Sequence, residues 1–295
     1  MEHVPAPSPG ASSRRRVRAV DLPAADAAAV ANGIEALYDD QFDVIVIRGA
    51  FPAGDLDAAG ARLDRDDEDA GWSRPNEKMP VEDLQVLGTD IPATPTYQNP
   101  RGASLESYLA SAVRHEAATA GVFADGFDAT VQIQTVLARC SGGRPVRVPE
   151  AADGRRYVPF TVRRLTDGKQ IGLHHDFHYK LPLYAELAPR LDTTTLVSYV
   201  ATLRAPEAGG ELFVYGVTPD TPDAPKLPNG FSWDLDAIEQ RYDVARFVMG
   251  AGDLFLLASG RCLHRVGKIA GPRARVTMGG FLAMDKARRE VLFWS

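Results

Sequence analysis

Gly168-Lys169-Gln170-Ile171-Gly172-Leu173-His174-His175-Asp176-Phe177-His178 is the stretch on which the reading of this chain turns. Gly168 and Gly172, with Pro182 shortly after, disfavour a helix, so His174 and His178 are not read as a helical zinc pair. On a strand, side chains alternate between faces. His174 and Asp176 then point one way and His175 the other, and His178 rejoins the first face if the strand continues. An imidazole and a carboxylate on one face can chelate a single ion. A second imidazole from elsewhere would complete a two-histidine, one-carboxylate set that leaves one side of the metal open. Histidine is scarce, six in 295 residues, and four of the six are His174, His175, His178 and His264.

His264 lies in Gly250-Ala251-Gly252-Asp253-Leu254-Phe255-Leu256-Leu257-Ala258-Ser259-Gly260-Arg261-Cys262-Leu263-His264-Arg265-Val266. A histidine between two strands is commonly structural, and Cys262 beside it suggests zinc. With no second cysteine at ligand spacing, Cys262 reads instead as a lone buried thiol. What raises His264 above the structural reading is Arg275, followed on the same strand face by Thr277. An arginine fork clamps a carboxylate through two hydrogen bonds, and a neighbouring hydroxyl adds a third. Arg273 shares the parity of Arg275 and is the competing clamp. An arginine near a metal set, without an acidic partner in sequence, points to an anionic co-ligand.

Working outward, Val158–Leu165, Thr193–Leu203, Glu211–Tyr215, Arg246–Met249, Asp253–Ala258 and Arg275–Leu282 read as strands separated by Gly, Pro and Asp turns. Many short strands without helical periodicity between them point to a sandwich, barrel or jelly roll. The first half adds a helix over Ala24–Tyr38, a buried strand over Phe42–Ile47, and a helix over Ser104–Val122 with Leu105, Tyr108, Leu109 and Val113 on one face. Two long Pro-rich stretches interrupt the pattern, 64–101 and 217–242, the second ending in a helical run from Leu235. Loops of that length are usually functional or mobile.

Hydrophobic residues at 45% and charged residues at 24% are the balance of an ordinary soluble globular chain. A net charge of −6 argues against nucleic-acid binding but leaves room for a small cationic pocket. Cys140 and Cys262 are the only cysteines, so no disulfide framework is expected, and a reducing, cytoplasmic setting fits. Met1–Arg18 is rich in Pro, Ser and Arg and reads as disordered. Arg14-Arg15-Arg16 lacks the apolar core of an export signal, and no run approaches the ~18 apolar residues of a membrane span.

At this point the chain resembles the Fe(II)/2-oxoglutarate-dependent oxygenases, closest to the prolyl-4-hydroxylase-like branch that includes small-molecule hydroxylases. Gly168, His174 and Asp176 look like that branch's G-x-x-x-x-x-H-x-D run. Gly209-Gly210-Glu211-Leu212 looks like its G-G-E-L strand entry, and Gly252-Asp253-Leu254-Phe255 like the G-D-L strand before its distal histidine. His264-x-Val266 followed by Arg275-x-Thr277 looks like its closing H-x-V and R-x-S/T pair. No one piece is specific; their order and spacing make the set strong.

The resemblance implies a mainly β fold with flanking helices, built on a double-stranded β-helix, the jelly-roll or cupin-like core. It implies a tail over 1–20 and one domain over 21–295: a core at about 156–285, helical support and substrate lid at 21–155, and an inserted lid at 217–245. It implies Fe(II) on His174, Asp176 and His264, with 2-oxoglutarate chelating the metal at its keto-acid end. Arg275 and Thr277 would hold the distal carboxylate. Arg164 stands near where relatives place a tyrosine against the co-substrate, and Tyr199 has a weaker claim of the same kind. O2 is the second co-substrate, and ascorbate would stimulate turnover. Related halogenases carry Gly or Ala where this chain has Asp176, which frees a metal position for chloride, so hydroxylation is the expected outcome here.

Phe177, His178 and Trp72 are the candidate substrate contacts. The expected substrate is a small molecule (an amino acid, an amino-acid derivative or a natural-product intermediate), with no nucleic-acid or membrane partner and compatibility with a homodimer. Two rivals stand beside this reading. One is a peptide or protein prolyl-type hydroxylase with an open groove, and the other a non-catalytic cupin-like metal-binding sensor.

Overall fold

A computed structural model describes residues 15–63, 72–74, 84–87, 104–123, 126–176, 179–229 and 232–295. The first half contains β1 (Ala19–Pro23), α1 (Gly33–Tyr38), β2 (Val44–Arg48), α2 (Ala53–Leu63), β3 (Trp72–Ser73), β4 (Gln85–Leu87), α3 (Leu105–Thr119), α4 (Ala129–Arg139) and β5 (Val146–Arg147). The second half contains β6 (Thr161–Leu165), β7 (Ile171–His174), β8 (Val197–Arg204), β9 (Leu212–Tyr215), α5 (Leu235–Arg241), β10 (Val244–Phe247), β11 (Leu254–Leu257), β12 (His264–Val266), β13 (Arg275–Met284) and β14 (Val291–Trp294).

The major sheet runs β1-β2-β11-β8-β13-β6-β4-β3, with β14 paired to the far end of β13 and β5 to β14. The minor sheet runs β10-β9-β12-β7. Leu212 and Val214 of β9 pack in the same core as β8, β11 and β13, so the two sheets face each other. This is the jelly-roll core expected from the sequence. The sheet also extends past the expected core, taking in β1 and β2 before it and β14 after it. The central strand β13 is buried along its whole length, which requires cover on both faces. That cover is the minor sheet on the inside and, outside, the helices together with the edge-on pair Tyr199 and Phe293.

Local chemistry explains where expectation and structure part. The Ala24–Tyr38 helix is broken into a 3-10 turn over Ala24–Val30 and α1, because the backbone between them bonds elsewhere. Gly142 N donates to Ala31 O at 2.7 Å and Ile34 N to Cys140 O at 3.0 Å. α3 forms as predicted, capped by the Ser104 hydroxyl accepting from Ser107 N at 3.1 Å. Its inward face is Tyr108, Ser111, His115 and Thr119, whereas Val113 is 70% exposed.

The expected tail over 1–20 does not hold from Arg15 onward. Asp43, fully buried, accepts from Arg18 N at 2.9 Å and pairs with the guanidiniums of Arg15, Arg18 and Arg261. Burial opposes the Asp43 charge, but these hydrogen bonds and cations hold its carboxyl below the usual range. The segment from Arg15 is thereby fixed, and β1 pairs in parallel with β2.

The 217–245 insertion does not sit over the metal side of the minor sheet. Val217, Trp233, Leu235, Ile238 and Tyr242 pack with Leu173, Tyr215 and Leu263, which lie on the strand face opposite His174 and His264. Among the described residues it is a back cover rather than a lid. Most of the other expected lid, 64–101, lies outside the described residues. Within it, β3 and β4 extend the major sheet beside β6.

His115 sets an acid-stability test. It is 2% exposed against Phe160, and its Nε2 has no hydrogen-bond partner among the described residues. Burial lowers its pKa to about 4. The unfolded chain takes up the proton near pH 6.5 and the folded one does not, so stability falls as pH drops from about 6.5 towards 4 and is unaffected above that window. His115→Leu should be near neutral at pH 7 and should melt above the wild type at pH 5. Parallel melting curves for the two proteins across that range would refute the assignment.

Candidate metal centre

β7 and β12 are antiparallel neighbours in the minor sheet and place His174 directly opposite His264. Their rings lie 4.2 Å apart between centroids. Asp176, just beyond β7, is anchored by its own N–H donating to Ser259 O at 2.9 Å. His174 Nε2 is 3.7 Å from Asp176 Oδ1, and His264 Nε2 is 3.7 Å from Asp176 Oδ2. One donor atom from each of the three lies within 4.8 Å of the others. The sequence named all three, and the fold brings them together.

The donor set is prepared for a cation. His174 Nδ1 lies 2.8 Å from Gly172 O and His264 Nδ1 lies 3.0 Å from Cys262 O. A carbonyl accepts only, so each Nδ1 carries the proton and each Nε2 presents a lone pair to the centre. Burial, with His174 adding to it against the opposing pull of Asp176, lowers the His264 pKa to about 4. It is therefore neutral and ready to ligate at pH 7. Ser198 donates to Asp176 Oδ2 at 2.7 Å and lies 2.6 Å from Ser259 Oγ, which fixes the carboxylate orientation. Asp176 and His264 are buried, while the His174 side chain is 38% exposed, so the set opens on one side. These features fit a 2-His-1-carboxylate metal site.

Arg275 stands on the interior face of β13, 5% exposed, with no ion-pair or hydrogen-bond partner among the described residues. Burial, reinforced by the charge of Arg163, pushes its pKa down to about 10, so it remains cationic at neutral pH. A buried, unpaired guanidinium is costly and marks a place for an anion. Thr277 lies two residues on, 2% exposed, on the same face. Arg273, the competing clamp, is exposed at the strand's outer end, its Nη2 only 3.4 Å from Pro206 O.

Gly210 explains how Arg275 fits. A Cβ there would lie 3.0 Å from Arg275 Cδ and 2.8 Å from Ile269 Cδ1, and at Gly209 it would collide with the Lys268 carbonyl. Both glycines have positive φ, +75° and +70°, so the G-G-E-L entry serves close backbone approach. Asp253 of the G-D-L run accepts from Gly49 N, Gly250 N and Arg48 and fixes the turn into β11.

Three expectations are corrected. Arg164 turns away from the metal centre, donating to Gln85 Oε1 at 2.5 Å and lying 4.5 Å over the Trp72 ring. Trp72 is thus engaged on the outside of the major sheet and does not approach the metal set. Tyr199 is a core aromatic, donating to Pro159 O and packed edge-on against Phe293. The residue missed is Arg163. It pairs directly with Thr277 across β6–β13, faces the interior, and has the Asp176 charge within electrostatic reach. Only the register separates it from Arg164, and that is set by pairing with β13. His175 points to the back cover, its ring 6.5 Å from Trp233. Phe177 and His178 lie outside the described residues.

Among solved structures, the chain is similar to an N-substituted L-amino acid dioxygenase from Burkholderia ambifaria AMMD, at 14% identity and a TM-score of 0.54 over 90% of this chain and 91% of that one. It is also similar to the non-heme alpha ketoglutarate dependent carbocyclase SnoK from nogalamycin biosynthesis (11% identity, 84% and 83% covered, TM-score 0.48). A third is a Pseudomonas putida prolyl-4-hydroxylase (16%, 86% and 97%, 0.43). No curated protein sequence matches this one. The family model for the carrier-protein-independent halogenase WelO5 matches residues 17–295, nearly the entire chain. The protein therefore belongs to the WelO5 family of carrier-protein-independent halogenases, within the Fe(II)/2-oxoglutarate-dependent oxygenases.

Proposed function

We propose that this protein hydroxylates an unactivated C–H bond of a small molecule, using Fe(II), O2 and 2-oxoglutarate and releasing succinate and CO2. The observation that carries the reading is Asp176, a carboxylate within reach of both histidine donors. In related halogenases that position is Gly or Ala and the metal accepts chloride there. Here Asp176 would take that position on the metal, which favours hydroxylation over the chemistry of the family's name. The family's independence of carrier proteins supports a free small molecule as substrate.

His174, Asp176 and His264 would hold the iron. Arg275, Thr277 and Arg163 would hold the distal carboxylate of 2-oxoglutarate. Iron and keto acid together supply O2 activation coupled to decarboxylation. His264, neutral at pH 7, would offer its lone pair without losing a proton, and Ser198 keeps Asp176 oriented towards both histidines. The charge of Arg275, without a partner among the described residues, would align the diacid.

The test is a panel of amino acids, their N-substituted derivatives and other small metabolites, incubated with all cosubstrates in chloride buffer and read by mass spectrometry. A product that has gained one oxygen is expected. A product carrying chlorine in place of hydrogen would overturn the reading.

A further inference from the structure

The interior face of the major sheet carries a buried hydroxyl without a partner among the described residues. Thr202 is 1% exposed, and its Oγ1 has no hydrogen-bond partner among the described residues. A buried polar group without a partner is uncommon and calls for one from outside the chain. The register shows where that partner would be. Thr202 of β8 lies directly opposite Thr277 of β13, which on its other side lies directly opposite Arg163 of β6. Residues facing each other across a ladder share a face. Arg163, Thr277 and Thr202 therefore form one row across three strands, with Arg275 two residues further along β13 on the same face.

Neighbouring residues agree with this orientation. Pairing shifts between Val276 and Thr277, and Arg204 is turned towards Gly60 of α2, on the other side of the sheet. Back along β8, Val200 and then Ser198 share the face of Thr202, and Ser198 touches Asp176. The face thus leads from the metal ligands to the two arginines, with Thr202 at the arginine end.

We propose that Thr202 donates its hydroxyl hydrogen to the distal carboxylate of the bound keto acid, across from Thr277. One carboxylate is then held between two guanidiniums and two hydroxyls, and the pocket selects a keto acid with a second carboxylate. The inference rests on the keto-acid reading of Arg275 given above.

Calorimetric titration of the Fe(II)-loaded protein without oxygen tests it, using two probes. One is 2-oxoglutarate; the other is oxalate, which can chelate the metal but has no distal carboxylate. Thr202→Val, which keeps the shape and removes the donor, should raise the Kd for 2-oxoglutarate about tenfold and change that for oxalate by less than about twofold. Thr202→Ser should restore 2-oxoglutarate binding. Metal-free Thr202→Val should melt at or above the wild-type temperature, since an unpaired buried hydroxyl has been removed. Equal 2-oxoglutarate affinity in wild type and Thr202→Val overturns the proposal, as do equal losses for both probes. If the wild type binds oxalate but not 2-oxoglutarate, the keto-acid reading itself fails and the role of Thr202 falls with it.

Discussion

His264→Ala is expected to weaken Fe(II) binding by more than about a hundredfold and to abolish turnover, whereas His175→Ala should leave metal affinity within about threefold of wild type. Losing one of three protein ligands removes a bond to the ion and a buried donor whose tautomer is set by Cys262 O. The adjacent His175 is nearer in sequence to the other ligands, yet its ring faces Trp233 behind the sheet. Strand alternation makes the difference, so the pair of variants tests fold and site together. Fe(II) titration with metal analysis of the purified proteins reads it out. A greater loss in His175→Ala would mean that the side-chain parity of β7 is wrong.

Arg275→Ala should raise the Kd for 2-oxoglutarate by about a hundredfold or more, while Arg273→Ala should change it by less than about threefold. The two arginines have the same strand parity, and sequence alone leaves them level. Their surroundings do not. Arg275 is buried with no partner among the described residues, whereas Arg273 is exposed to water, where a guanidinium contributes little to a screened ion pair. Equal effects of the two substitutions would show that both share the carboxylate.

Much of this centre was legible in the sequence because its logic is local. The spacing of His174 and Asp176 on a strand, and of Arg275 and Thr277 on another, follows from two-residue periodicity alone. The lone buried character of Cys262 was equally local. What was not legible depended on register. Arg163 and Arg164 are adjacent and chemically identical, and only the pairing of β6 with β13 decides which one faces the interior. Thr202 and Ser198 carry no motif, and their meaning comes from strands far away in sequence.

The helices were harder for a different reason. α4 is rich in β-branched residues and signals weakly, although Asp128 caps it, accepting from Val131 N at 3.0 Å. The break before α1 comes from backbone bonds to residues 140–142, a tertiary effect that no local pattern carries. The family resemblance implies a lid over 217–245. Its apolar residues instead follow the outer surface of the minor sheet, which would otherwise expose Leu173, Tyr215 and Leu263 to water.

The most direct test of the central claim, that His174, Asp176, His264 and Arg275 form one site for a metal and a keto diacid, is anaerobic titration of 2-oxoglutarate into wild-type protein with and without Fe(II). Joint coordination predicts binding that strengthens at least about tenfold when the metal is present, because one end of the ligand is chelated while Arg275 holds the other. No binding in either state, or the same affinity with and without iron, would contradict it.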